Sequence, residues 1–249
     1  MDRLTKHYTE KYDVEKYSDK FSLIPYKDIP NNRLEAAVKF FPAYFNGNKI
    51  LELGSGSGDL AYSLEYHGLK FEKYYLNDIS ESRIEGLKNK FKGEKYEVVK
   101  FNIEYDDVNI SRVDGIIMIA LIEHFIDPIE ALKKSYNLLN DGGIIYIETP
   151  NIATYYRRKQ LLMGKFPSTA SKDEGLLTFD NKEVDLYDEG HLHYFTYRSL
   201  TELLKRVGFK EINWLGYCNS KQILGKKIMY NLAQKYPTLF SDVLIIAKK

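Results

Sequence analysis

Short apolar runs that alternate with stretches of helical spacing constrain this chain more than any other feature of its sequence. The runs are Lys49–Leu53, Tyr74–Asn77, Tyr96–Phe101, Val113–Ile119 and Ile144–Glu148. Two of them contain Ile116-Ile117-Met118-Ile119 and Ile144-Ile145-Tyr146-Ile147, with no polar alternation. A strand apolar on both sides needs helices on both faces of its sheet. The intervening segments supply them: Asp59–His67, Glu81–Phe91 with Ser80 as its cap, and Pro128–Leu139 with proline in the first turn. An earlier helix is expected over Arg33–Phe41, capped by Asn31 or Asn32. Asp141-Gly142-Gly143 ends the helix before the fifth strand. Strands and helices in this order predict βαβ units and a doubly wound, mostly parallel α/β sheet.

Beyond Pro150 lie about forty residues too long for a simple connection. Thr196–Val207 then has amphipathic spacing and is closed by Gly208, and Phe209–Leu215 and Val243–Ala247 read as two last strands. A chain of 249 residues is expected to form one domain with insertions. A charged fraction of 29% and a net charge of +1 place it outside the disordered class and give no field that favours nucleic acid. The single cysteine, Cys218, excludes an internal disulfide and a cysteine-rich zinc site. The longest apolar run, Ile116–Ile122, is far shorter than a membrane span, and no secretory pattern follows Met1, so a cytoplasmic protein is expected. Tyr8, Tyr12, Tyr17 and Tyr26, among 21 tyrosines, could form packing or an aromatic lid.

The most specific local signal is Glu52-Leu53-Gly54-Ser55-Gly56-Ser57-Gly58-Asp59, at the end of the first strand. Glycines at alternate positions let the backbone turn tightly and approach a ligand at the mouth of the next helix. A dinucleotide loop would carry its third glycine where Asp59 stands, and a phosphate-cradling loop would end in Gly-Lys-Ser/Thr. Asp78 ends the second strand, where an acid can bind two ribose hydroxyls; the competing role, capping the next helix, suits Ser80 better.

On these residues the sequence resembles the class I S-adenosylmethionine-dependent methyltransferases, in particular a bacterial branch acting on small molecules and glycan precursors. The glycine loop resembles the family's first motif, and Leu76-Asn77-Asp78-Ile79-Ser80 its second-strand acid. Leu121–Pro128 resembles the fourth-strand segment, and Leu138–Gly143 the turn before the fifth strand. The resemblance implies a seven-stranded sheet whose last strand runs antiparallel. It implies S-adenosylmethionine as cofactor, held by Glu52, Gly54, Ser55, Gly56, Gly58, Asp78, Ile79, Asn102, Ile103 and Ala120. Asn102 departs from the acid often found near the adenine, though an amide can also meet an adenine edge. On this reading residues 1–45 form an N-terminal lid and helices, 46–150 the cofactor-binding half, and 151–190 an acceptor-binding insertion. Residues 191–249 form the C-terminal helix and strands.

Methyl transfer to a hydroxyl needs a base, and histidine is suited to neutral pH. His124 follows the fourth strand, and His191 and His193 lie in Gly190-His191-Leu192-His193-Tyr194-Phe195-Thr196, which is similar to the His-x-His-x-Phe-Thr stretch of the same branch. An extended segment points both to one side. Glu123, His124, His191 and His193 are the candidate catalytic residues, with His191 or His193 favoured as base because the segment follows the insertion. His7 and His67 read as surface residues. Glu123, His124 and the later pair also resemble metal-dependent O-methyltransferases of small RNAs and quinone pathways. Those carry a further glutamate where Ala120 stands here, so no metal is expected. The expected acceptor is a small molecule or glycan precursor, and Arg157, Arg158, Lys159 and Lys165 suggest either a solvated face or an anionic acceptor. The alternatives are nitrogen methylation, an RNA or protein acceptor, and a non-catalytic cofactor-binding subunit.

Overall fold

Seven runs become strands: β1 (Lys49–Leu53), β2 (Lys73–Asn77), β3 (Tyr96–Val99), β4 (Val113–Ile119), β5 (Leu139–Pro150), β6 (Lys210–Leu215) and β7 (Asp242–Lys248). They form one sheet in the order β3-β2-β1-β4-β5-β7-β6. The first five pair in parallel, and β7 runs antiparallel to both neighbours, as the resemblance implied. The computed structural model describes residues 20–169, 191–218, 225–240 and 242–249. His7, Tyr8, Tyr12, Tyr17 and residues 170–190 of the insertion lie outside the described residues.

Helices cover both faces, as continuous apolar strands require. One layer packs α1 (Arg33–Tyr44), α2 (Asp59–Tyr66) and α3 (Glu81–Lys90) around Phe41, Leu64, Leu87, Ile50 and Tyr146. The other packs α4 (Pro128–Leu138) and α6 (Tyr197–Val207) around Leu132, Leu200, Leu204, Ile116 and Ile245. Their starts follow local chemistry. Asn32 Oδ1 accepts from Glu35 N–H, and Ser80 Oγ from Arg83 N–H. Asp127 Oδ1 accepts from Ile129 and Glu130 N–H, and Thr196 forms a capping box with Ser199.

Several boundaries differ from those the sequence predicted. Helix α1 continues past Phe41 through Pro42 to Tyr44. Strand β3 stops at Val99, where the Asn77 side-chain amide donates to the Val99 and Phe101 carbonyls and ties the end of β2 to the outgoing chain. Strand β5 begins at Leu139, ahead of the glycine turn, because Leu139 already pairs with Val113. Residues 140–143 bulge out of register, with Gly142 at φ +79°. Two helices were not among those the sequence predicted: α5 (Tyr155–Leu162), which buries no residue, and α7 (Lys226–Lys235), which buries Met229 and Ala233. Among the described residues no helix is long and apolar enough to cross a membrane.

The topology positions the site. From β1 the chain builds outward to β2 and β3, then crosses back to lay β4 on the other side of β1. The carboxyl ends on either side of that switch leave a crevice, the general ligand position in open α/β sheets.

Candidate functional site

The glycine loop turns out of β1 through three left-handed residues, Gly54 (φ +71°), Gly56 (φ +53°) and Gly58 (φ +77°). The Ser55 N–H donates to the Asn77 carbonyl (2.8 Å), and its hydroxyl donates to the Glu52 carbonyl (2.9 Å), so the loop is moored to the ends of β1 and β2. Gly58 needs the absence of a side chain twice over. A Cβ there would meet the Phe91 ring at 2.4 Å, and its φ is one that other residues resist.

Asp78, buried at the end of β2, faces this loop. Its Oδ2 accepts from Gly56 N–H (3.2 Å) and lies 3.5 Å from Arg83 Nη1, while Oδ1 accepts from Ser80 N–H (3.0 Å). Ser80 and not Asp78 caps α3, which leaves Asp78 aimed at the crevice. On the far side, Asn102 closes a turn: its Oδ1 accepts from Glu104 N–H (2.9 Å), and its own N–H donates to Asp106 (2.7 Å). Its NH2 end is therefore the one suited to a ring acceptor. Ala120, just past β4, sits at φ +47° with its N–H donating to the Glu148 carbonyl (2.9 Å). A left-handed alanine costs about 1–2 kcal/mol and re-aims the chain from strand to the short 3₁₀ turn Ile122–His124.

These groups enclose a cavity of about 420 Å³. Glu52, Gly54, Ser55, Gly56, Asp78, Ile79, Asn102, Ile103 and Ala120 all line it, and Gly58 stands behind the loop. Arg33, Arg83 and Tyr105 also line it and were not evident from sequence, since nothing in their spacing ties them to the loop. The size, the backbone donors and the acid facing them suit a nucleoside carrying a short charged chain.

His124 also lines the cavity. The His191 ring packs edge-on against it, with centroids 4.8 Å apart, and His191 Nδ1 lies 2.6 Å from the Thr169 hydroxyl. The segment bearing His191 is fastened there because Leu192 and His193 N–H both donate to the Glu123 carbonyl (2.8 and 3.1 Å). His193 shares that anchor, but its ring Nε2 sits 3.4 Å from the Ile126 carbonyl and does not line the cavity. His67 lies at the surface with Nε2 2.8 Å from the Ile24 carbonyl, and Tyr26 is exposed beside it.

Glu123 and Glu52 are buried carboxyls held partly protonated. Burial pushes Glu123 up to about 7, against its own backbone hydrogen bond, the hydrogen bond from the Thr149 hydroxyl (2.8 Å) and the nearby Arg33 charge; among the described residues its Oε1 has no hydrogen-bond partner. Burial pushes Glu52 up to about 8, against the Tyr74 hydroxyl at 2.7 Å and helped by Asp59 and Asp78. Glu123, His124 and His191 also bring a carboxylate oxygen and two ring nitrogens within 4.8 Å of one another. The folded chain keeps protons on Glu52 and Glu123 that the unfolded chain releases near the ordinary value of 4.5. Their contribution to stability is therefore complete below that value and falls as pH rises to about 7 and 8, by up to about 1.4 kcal/mol per unit and group. Urea melts of the unliganded chain between pH 5 and 8 should show this decline, flattened in Glu52→Gln. Parallel profiles would mean that Glu52 is already ionised in the fold.

A family model described as a methyltransferase domain matches residues 27–213. Over 110 residues the chain is 30% identical to the ubiquinone biosynthesis O-methyltransferase of Coxiella burnetii (strain RSA 493 / Nine Mile phase I), a segment covering 42% of this chain and 44% of that protein. The match thus spans less than half the length of this relative. Among solved structures, an S-adenosylmethionine-dependent methyltransferase from Archaeoglobus fulgidus superposes with a TM-score of 0.57 at 20% identity, covering 87% of this chain and 92% of that one. One from Mesorhizobium loti gives 0.58 at 14% identity, covering 86% and 97%. Human N-acetylserotonin methyltransferase, solved with S-adenosylmethionine, gives 0.53 at 17% identity, covering 87% and 53%. At these identities the structural likeness concerns the fold.

Proposed function

The chain belongs to the methyltransferase-domain family, and from that premise we propose that it transfers the methyl group of S-adenosylmethionine to a hydroxyl of a small molecule or glycan precursor, with a histidine as base. The observation that carries this reading is the His124–His191 pair, in which His124 lines the same cavity as the glycine loop and Asp78. The residues fit the cofactor: Asp78 suits the ribose hydroxyls, the Asn102 amide the adenine edge, and the loop N–H groups with Glu52 the amino-acid end. Bound there, the cofactor supplies an electrophilic methyl on a good leaving group, so the protein's tasks are alignment and proton removal. With the cofactor bound, His124 would take the hydroxyl proton at a ring nitrogen. His191, held by Thr169, packs edge-on against the His124 ring and orients it.

The curated relative's name, an O-methyltransferase, supports oxygen as the nucleophile. Transfer of radiolabelled methyl from the cofactor to fractionated hydroxyl-bearing extracts tests the reading. Label appearing only in amines, in RNA or in protein would replace the acceptor, and no label in any fraction with tight cofactor binding would make the chain a binding subunit. A second reading has one specific observation behind it, the clustered Glu123, His124 and His191 ligand atoms. Because Ala120 stands where the metal-dependent O-methyltransferases carry a further carboxylate, activity is expected to survive chelator treatment. Loss of turnover in EDTA and its recovery with a divalent ion would recast these three residues as ligands.

A further inference from the structure

Helix α5 buries none of its residues against the rest of the fold. Leu162 is 89% exposed, Leu161 65% and Tyr156 60%, and Met163 and Phe166 continue the exposed apolar surface. The stretch from Thr154 to Phe166 carries Arg157, Arg158, Lys159 and Lys165 and no acid. Among the described residues, Arg158 donates to the backbone carbonyls of Ala153 (2.6 Å) and Thr238 (3.5 Å), both neutral acceptors. Leucines and tyrosines ringed by cations, and exposed among the described residues, match what the headgroup layer of an anionic bilayer accepts.

This surface continues to the site. Helix α5 leaves the carboxyl end of β5, the edge that holds the cavity. Phe166 packs edge-on against Tyr194, with centroids 5.7 Å apart. The neighbouring Leu192 is exposed and anchored by its N–H to the Glu123 carbonyl, and Ile126 and Tyr105 are exposed on the cavity rim. We propose that α5 and the Met163–Phe166 turn dock this chain on an anionic phospholipid surface, with the cavity mouth turned toward the bilayer. This goes beyond the proposed reaction and does not depend on it, since docking needs neither cofactor nor turnover.

The test is sedimentation of the full chain, without cofactor or acceptor, with phosphatidylglycerol-containing vesicles and with pure phosphatidylcholine vesicles. The chain should bind the first, release with added salt, and ignore the second. L161S/L162S should lower vesicle partitioning by about tenfold or more, the loss expected from two leucine side chains. K159Q/K165Q should lower it about 30-fold, from the attraction of each cation to the surface. Both variants should keep the wild-type melting temperature and cofactor affinity, because the altered residues support neither core nor cavity. Equal sedimentation of wild type and both variants overturns the proposal. So does indifference to both vesicles, in which case light scattering tells whether a second copy or another part of the chain covers the face.

Discussion

Replacing His124 or His191 with alanine is expected to lower turnover by about 10²–10⁴-fold while cofactor affinity stays near that of the wild type. The size follows from the acceptor: a protonated aliphatic or sugar hydroxyl is a poor nucleophile, and a positioned base removes that handicap. The sparing of affinity follows from the geometry. The glycine loop, Asp78 and Asn102 line the cavity from the ends of β1, β2 and the chain after β3, whereas His124 lines it from the turn after β4 with His191 packed against its ring. His193→Ala should be milder, because its ring is turned to the Ile126 carbonyl and stands off the cavity. The pH profile of turnover should rise through an apparent value near that of histidine and flatten in the deficient variants. Glu123, held near 7 by burial, titrates in the same range, so Glu123→Gln serves as the control that separates the two. Near-normal turnover in both alanine variants, with tight cofactor binding, would point to an amine acceptor or to proton loss directly to water.

Asp78→Ala should weaken cofactor binding by roughly 1–3 kcal/mol, or about 5- to 150-fold in Kd, the cost of leaving hydrogen-bonding partners unmet. The fold should survive, because Ser80 caps α3 and the Ser55–Asn77 hydrogen bond still moors the loop. Part of the loss will come through the loop itself, since Asp78 Oδ2 also receives the Gly56 N–H. Asp78→Asn separates the two contributions. It keeps an oxygen for one partner but loses the charge beside Arg83, and should fall between wild type and alanine. Calorimetry that returns unchanged affinity for Asp78→Ala would remove the residue from the ribose contact.

What could be read from the sequence was whatever local backbone chemistry dictates. Gly54, Gly56 and Gly58 are written by their left-handed φ values, Ser80, Asp127 and Thr196 by the N–H groups they cap, and the parallel strands by apolar character on both faces. Arg33, Thr149 and Thr169 were not legible, because each reaches its place from a different stretch of chain. The distinction between His191 and His193 was equally hidden: an extended spacing puts both on one side, and only the docking of that segment on the Glu123 carbonyl decides which ring meets His124. Helix α5 escaped notice for the opposite reason, since a helix that buries nothing has no apolar period to read.

The position of β7 bears on how the chain is made. It lies between β5 and β6 in the sheet although it follows both in sequence. During synthesis the half that holds the glycine loop and Asp78 can close on β4 and β5 early. Strand β6 then emerges with no partner, and β5 waits with an open edge of main-chain donors and acceptors until Asp242–Lys248 arrives. A ribosome stalled before Asp242 would therefore leave a nascent chain with its cofactor end already assembled and a sticky β5 margin beside it, a client for chaperones.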